Sequence, residues 1–204
     1  MSAVLAPPPR ALVRRTAVPT PARWTVAEYR RLGAAGAFAD RRTILLYGEI
    51  YDMPMPNPPH DVALGQLDDW LRSVFTTGVH VRNQMGFDVG ADSDPGPDLA
   101  VVVGVRKDYS AAMPTAALLI VEVASTSLFV DTTTKAELYA TAGVADYWVV
   151  DVDNRQLLVF RDPAPLPAGL GATAYQTRLA FADTDTVSPL ALPTVAVRVA
   201  DLLP

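Results

Sequence analysis

Short apolar runs broken by prolines and glycines set the rhythm of the chain, and their spacing predicts alternating helices and strands. Thr25 is placed to cap a short helix through Val26, Tyr29 and Leu32, which Gly33 and Gly36 end. Residues 43–53 then read as a hairpin-like strand region, stopped by prolines at 54, 56, 58 and 59. A helix is expected from near His60, because Leu64, Leu67, Trp70, Leu71 and Val74 recur at helical spacing opposite Asp61, Asp68, Asp69 and Arg72. Val79 to Val89 alternates with period two. Leu99 to Val103, Leu118 to Val123 and Tyr147 to Val150 are continuous apolar runs of the kind covered on both faces of a sheet. Asp131 to Ala142 is expected as one helix, capped at Asp131 or a neighbouring Thr, with Gly143 in the C-terminal position. Leu157 to Phe160 and Tyr175 to Phe181 suggest an antiparallel pair, and Val195 to Leu203 a terminal segment. This order predicts an α/β protein with a mixed sheet flanked by helices.

Length changes the picture little: 204 residues support one sizeable core. No run approaches the ~20 apolar residues of a membrane span, and a soluble, cytoplasmic protein is expected. Charge matters more. Residues 1–23 hold Arg10, Arg14, Arg15 and Arg23, no acid and a cluster of prolines, and are expected to be a disordered tail preceding one domain over 24–204. The tail lacks the apolar centre of a signal peptide, and its prolines suit neither that nor an amphipathic transit helix. Removing its four positive charges from the formal −5 leaves −9 on residues 24–204, which argues against a broad polyanion-binding face. The chain has no cysteine and two histidines, so a metal site must be rich in oxygen, which suits Mg²⁺ or Mn²⁺.

Oxygen ligands stand at telling places. Glu122 interrupts Leu118-Leu119-Ile120-Val121-Glu122-Val123, and a carboxylate inside an apolar strand must be paired or bind a cation to offset its desolvation. A buried ion pair or a wet edge face is the plain alternative. Asp98 follows Pro97 in a turn that delivers it to the next buried strand, where turn capping is the plain alternative. Lys135 is one of two lysines beside fifteen arginines, so a compact ammonium at this position is a marked choice; a solvated pair with Asp131 four residues earlier would also explain it. Glu49, one of four glutamates, lies beside Gly48 in a strand, and His60 stands at a helix start; a surface acid and a structural cap are their simpler readings.

Together these segments resemble the Uma2 family, bacterial restriction-endonuclease-like proteins of the PD-(D/E)XK nuclease superfamily. The resemblance rests on Tyr47-Gly48-Glu49-Ile50-Tyr51, the proline-rich segment ending in His60, Pro97-Asp98-Leu99-Ala100-Val101, and Val121-Glu122-Val123-Ala124-Ser125. Asp131, Lys135 and Tyr139, then Ala142 to Asp151, complete it, and it covers roughly residues 24 to 203. It implies a restriction endonuclease-like core with flanking helices and additional antiparallel strands. It also implies that Asp98 and Glu122, helped by the main-chain carbonyl of Val123, hold Mg²⁺ or Mn²⁺. The superfamily's usual lysine would fall at Ala124 and is absent, which makes Lys135 on the following helix its candidate replacement. Ser125-Thr126-Ser127-Leu128 departs from the family's usual Ser-Pro-Ser-Thr. Glu49 and His60 match family positions near the site.

The expected activity is Mg-dependent endonucleolytic hydrolysis of DNA, with Lys135 orienting water or the scissile phosphate and Glu49 binding a second cation or tuning Lys135. Arg41, Arg42, Arg82 and Arg106 are the candidates for a local DNA-binding patch, and double-strand cleavage would favour a homodimer. An inactive or accessory binding protein of the same fold, and a hydrolase of smaller phosphate esters, are the alternatives.

Overall fold

The computed structural model describes residues 20–166 and 173–204. Most of the tail, residues 1–19, and part of the Pro/Gly-rich loop near the C-terminal hairpin lie outside the described residues. The described chain opens with helix α1 (Val26–Ala34), whose Thr25 and Glu28 form a reciprocal capping box. Strands β1 (Arg42–Leu46) and β2 (Glu49–Met53) make a separate hairpin. Its two-residue turn, Tyr47-Gly48, has positive φ at both positions, the twist that suits a tight hairpin. Helix α2 (Pro58–Val74) starts two residues before His60: Asn57 caps it by accepting from the His60 N–H, and prolines fill the first turn, where no N–H is needed.

A six-stranded sheet follows, built from β3 (Val79–Asn83), β4 (Leu99–Val103), β5 (Leu119–Ala124), β6 (Asp146–Asp151), β7 (Gln156–Pro165) and β8 (Thr173–Ala182). These lie side by side in chain order, antiparallel except for β5 and β6. A parallel step needs a crossover, and here it consists of α3 (Leu128–Thr132) and α4 (Thr134–Thr141). The single helix expected from Asp131 is thus two, beginning earlier. Thr132 and Thr133 hydroxyls donate back to the Leu128 and Phe129 carbonyls, and Thr133 leaves helical geometry between the pieces. Strand β3 also ends at Asn83, short of the expected Val89. A two-stranded pair, β9 (Thr186–Val187) with β10 (Val197–Arg198), and a 3-10 turn over Val199–Leu202 close the chain.

The central strands are apolar throughout because both sheet faces are covered. On one face Val101, Val121, Trp148 and Val150 pack with Leu64, Leu67 and Leu71 of α2, and Trp70 stacks on Trp148. On the other, Ala100, Ile120, Tyr147 and Val149 meet Ala136 and Tyr139 of α4. Ile44 and Leu46 of the hairpin pack on Leu138, which holds β1 and β2 against the crossover. No helix among the described residues is long and apolar enough to cross a membrane.

Candidate metal centre

The ladder between β4 and β5 pairs Leu99 with Val121. Extended by one residue it sets Asp98 opposite Glu122, and directly opposed residues project to the same face. The two carboxylates therefore meet beside α4, at the strand ends where the pairing stops. They interlock with the backbone: the Val123 N–H donates to Asp98 Oδ2 at 2.9 Å, and the Asp98 N–H to Glu122 Oε2 at 3.4 Å. Both residues are buried, at 4% and 2% exposure.

Lys135 reaches back from α4, its Nζ 3.0 Å from Glu122 Oε2 and 3.0 Å from Asp131 Oδ1. The early start of α3 places Asp131 inside a helix and 1% exposed, where it accepts from the Ser127 hydroxyl. Asp131 is thus not the helix cap, and its pair with Lys135 is present but buried rather than solvated. The Tyr139 hydroxyl donates to Glu122 Oε1 at 2.7 Å. On the open side, His60 Nε2 lies 3.5 Å and Arg42 Nη2 3.8 Å from the Asp98 carboxylate.

Burial works to raise the Asp98 pKa, but His60, the Lys135 ammonium and the Val123 N–H together hold it below the ordinary range. For Glu122 burial wins, pushing its pKa up to about 8 against the pull of Lys135. Lys135 keeps its proton firmly: burial disfavours the charge, yet Glu122, Asp131 and Asp98 more than compensate. Contact with Asp98 likewise raises His60. Two carboxylates are driven apart in proton affinity within one site, a pattern typical of functional centres.

These groups border a cavity of about 50 Å³, lined also by Met53 to Asn57 and by Ser125 to Ser127. That is room for a few waters. Among the described residues no three His, Asp or Glu side chains form a ready cage for an ion, so the main chain must contribute if a cation is to fit. Val123 supplies the means. Its N–H points toward β4, and in an antiparallel ladder the carbonyl of such a residue points the same way. Two steps beyond the last pair the residue opposite is Pro97, which has no N–H to offer that carbonyl. Two carboxylates, one carbonyl without a strand donor and space for water make a donor set that fits a small hard cation, which keeps several waters when bound.

Asp98, Glu122, Val123, Lys135 and His60 are thus brought together. Glu49 is not: it sits on the exposed side of β2, paired with Arg23 at 3.1 Å and accepting from the Tyr51 hydroxyl, and it does not line the cavity. A surface acid beside a turn, its simpler reading, describes it. Two placements go beyond the sequence reading: Arg42, expected only as a member of a surface patch, borders the acids themselves, and Asp131, expected as a cap or a solvated partner of Lys135, is buried with it. The strand pairing of Arg42 with Met53, just before the prolines that line the cavity, would have located the first once the hairpin was in place.

The family model described as "Putative restriction endonuclease", Uma2, matches residues 26–200. The chain belongs to the Uma2 family. No curated protein sequence matches it. A crystal structure from Anabaena variabilis, described as "a putative nuclease belonging to DUF820", is similar in fold: TM-score 0.68 at 18% identity, covering 88% of this chain and 97% of that one. The mixed α/β core expected from the sequence is therefore the architecture of a Uma2 protein, and the acids of β4 and β5 fall within the matched residues.

Proposed function

We propose that this protein is a divalent-cation-dependent endonuclease that hydrolyses DNA phosphodiester bonds. The observation that carries the reading is the meeting of Asp98 and Glu122 beside the Val123 main chain, over a cavity with room for a few waters. Membership of a nuclease-like family supports it. Asp98, Glu122 and the Val123 carbonyl would hold Mg²⁺ or Mn²⁺. When bound there, such a cation supplies charge for the phosphate oxygens and lowers the pKa of water.

The protein's own groups have separate tasks. Lys135 and Tyr139 fix both oxygens of Glu122, so the carboxylate needs no reorganisation on binding. His60 and the Val123 N–H fix one oxygen of Asp98 and leave the other facing Arg42. The proline-rich segment 54–57 and the Ser125–Ser127 loop wall the cavity. Hydrolysis adds water across one P–O bond, leaving a phosphate monoester and a free hydroxyl.

The charge of −9 on residues 24–204 favours a second reading, an accessory protein that binds metal without turnover. Two experiments decide. Calorimetric titration with Mn²⁺ should show binding to the wild type and at least tenfold weaker binding to Asp98→Ala and Glu122→Ala; equal binding in all three overturns the metal centre. Plasmid nicking with Mn²⁺ that disappears in Asp98→Ala supports the nuclease, whereas metal binding without nicking supports the accessory reading.

A further inference from the structure

Of the four arginines expected to form a polyanion patch, Arg82 is committed to the fold. It is buried, donates to the Gly86 carbonyl and lies over the Tyr109 ring. Arg41 pairs with Asp52 on the exposed surface of the hairpin and does not line the cavity. Arg106 lies in the 3-10 turn Arg106–Tyr109 and does not line the cavity. Lys135 does line it, but its ammonium is shared between two buried carboxylates and is 4% exposed, so it cannot turn to a substrate without abandoning them. Arg42 differs on each count. It lines the cavity, its side chain is 34% exposed, and its one ionic contact among the described residues, to Asp98 Oδ1, is 3.8 Å long, beyond hydrogen-bonding distance. Its donors remain available on the open side of the acids. The hairpin is also tied to the turn that delivers Asp98, through reciprocal hydrogen bonds between Leu45 and Asp94, so Arg42 and Asp98 keep their relation.

We infer that Arg42 is a catalytic residue that grips a non-bridging oxygen of the scissile phosphodiester, supplying the charge that Lys135 is too committed to give. A guanidinium suits this task, because its planar fork meets a phosphate through two parallel hydrogen bonds. The assignment rests on the nuclease reading above. It also accounts for how an acidic protein admits a polyanion: one directed cation at the reacting group stands in for a basic face.

The test uses the full chain, as wild type, Arg42→Ala and Arg42→Lys, with circular dichroism confirming the fold. With saturating Mn²⁺, Arg42→Ala should lower the kcat of plasmid nicking by about 100-fold, the usual loss for one donor aimed at developing charge, while Mn²⁺ affinity stays equal or rises. Arg42→Lys should recover part of the loss. Nicking within threefold of wild type, a change in KM alone, or Mn²⁺ affinity falling in step with nicking would each overturn the assignment. If the wild type does not nick DNA, the nuclease reading fails by itself, and ³¹P line broadening of inorganic phosphate with Mg²⁺ then judges Arg42. Broadening lost in Arg42→Ala keeps the residue as a phosphate contact; equal broadening, or none in the wild type, removes it.

Discussion

Lys135 Nζ lies 3.0 Å from Glu122 Oε2, with both side chains almost wholly withdrawn from water. A pair of this kind gains little net stability, because desolvating two charges consumes most of their attraction. Losing one member is another matter. Lys135→Met would leave Glu122 and Asp131 buried without a cation and should destabilise the fold by about 3–5 kcal/mol. Urea unfolding measures this, and adding Asp131→Asn to the same chain should restore part of the loss. A Lys135→Met protein as stable as wild type would mean that water reaches the site freely.

Cation binding should register as stability, since the unfolded chain brings no two of these donors together. At a Mn²⁺ concentration 100 times Kd the folded state gains about 2.7 kcal/mol, a rise in Tm of roughly 5–10 °C for a domain of this size. Asp98→Asn should abolish the rise. An equal rise in that variant would place the bound ion elsewhere.

Glu122 was legible in the sequence for one physical reason: a carboxylate set in a run such as Leu119 to Val123 must answer for its desolvation, so its partner or ligand can be anticipated, whereas Asp98 was legible only as the acid that the Pro97 turn delivers to the next buried strand. The crossover lysine was legible through its rarity. Asp131 was legible as a partner of Lys135 four residues on but not as a buried group, because its burial depends on helix α3 starting at Leu128, ahead of the expected start. Arg42 and Glu49 show the same limit. Both lie in one hairpin, at opposite ends of its pairing with respect to the turn, and only the packing of Ile44 and Leu46 on Leu138 decides which of them meets the cavity. Local pattern predicts the strands but not the face they present.

Glu49 therefore provides a control. Its pair with Arg23 is half-exposed at both ends, and such pairs contribute less than about 1 kcal/mol. Glu49→Gln should change stability by no more than about 0.5 kcal/mol and leave the Mn²⁺ titration as in wild type. A loss of cation affinity comparable to that of Asp98→Ala would return Glu49 to the site.

Away from the centre, His80 on β3 gives the fold an acid-sensitive point. Burial, and then Arg106, Arg82 and Arg72, hold its pKa below the ordinary 6.5, and its Nε2 is buried with no hydrogen-bond partner among the described residues. Below pH 6.5 the unfolded chain takes up a proton that folded His80 resists. The unfolded state then binds more protons, and stability falls with pH until the folded histidine itself titrates. His80→Gln removes this linkage. Urea midpoints measured from pH 7.5 to 5 should decline less steeply for that variant than for wild type, and parallel slopes would show that His80 protonates as easily folded as unfolded.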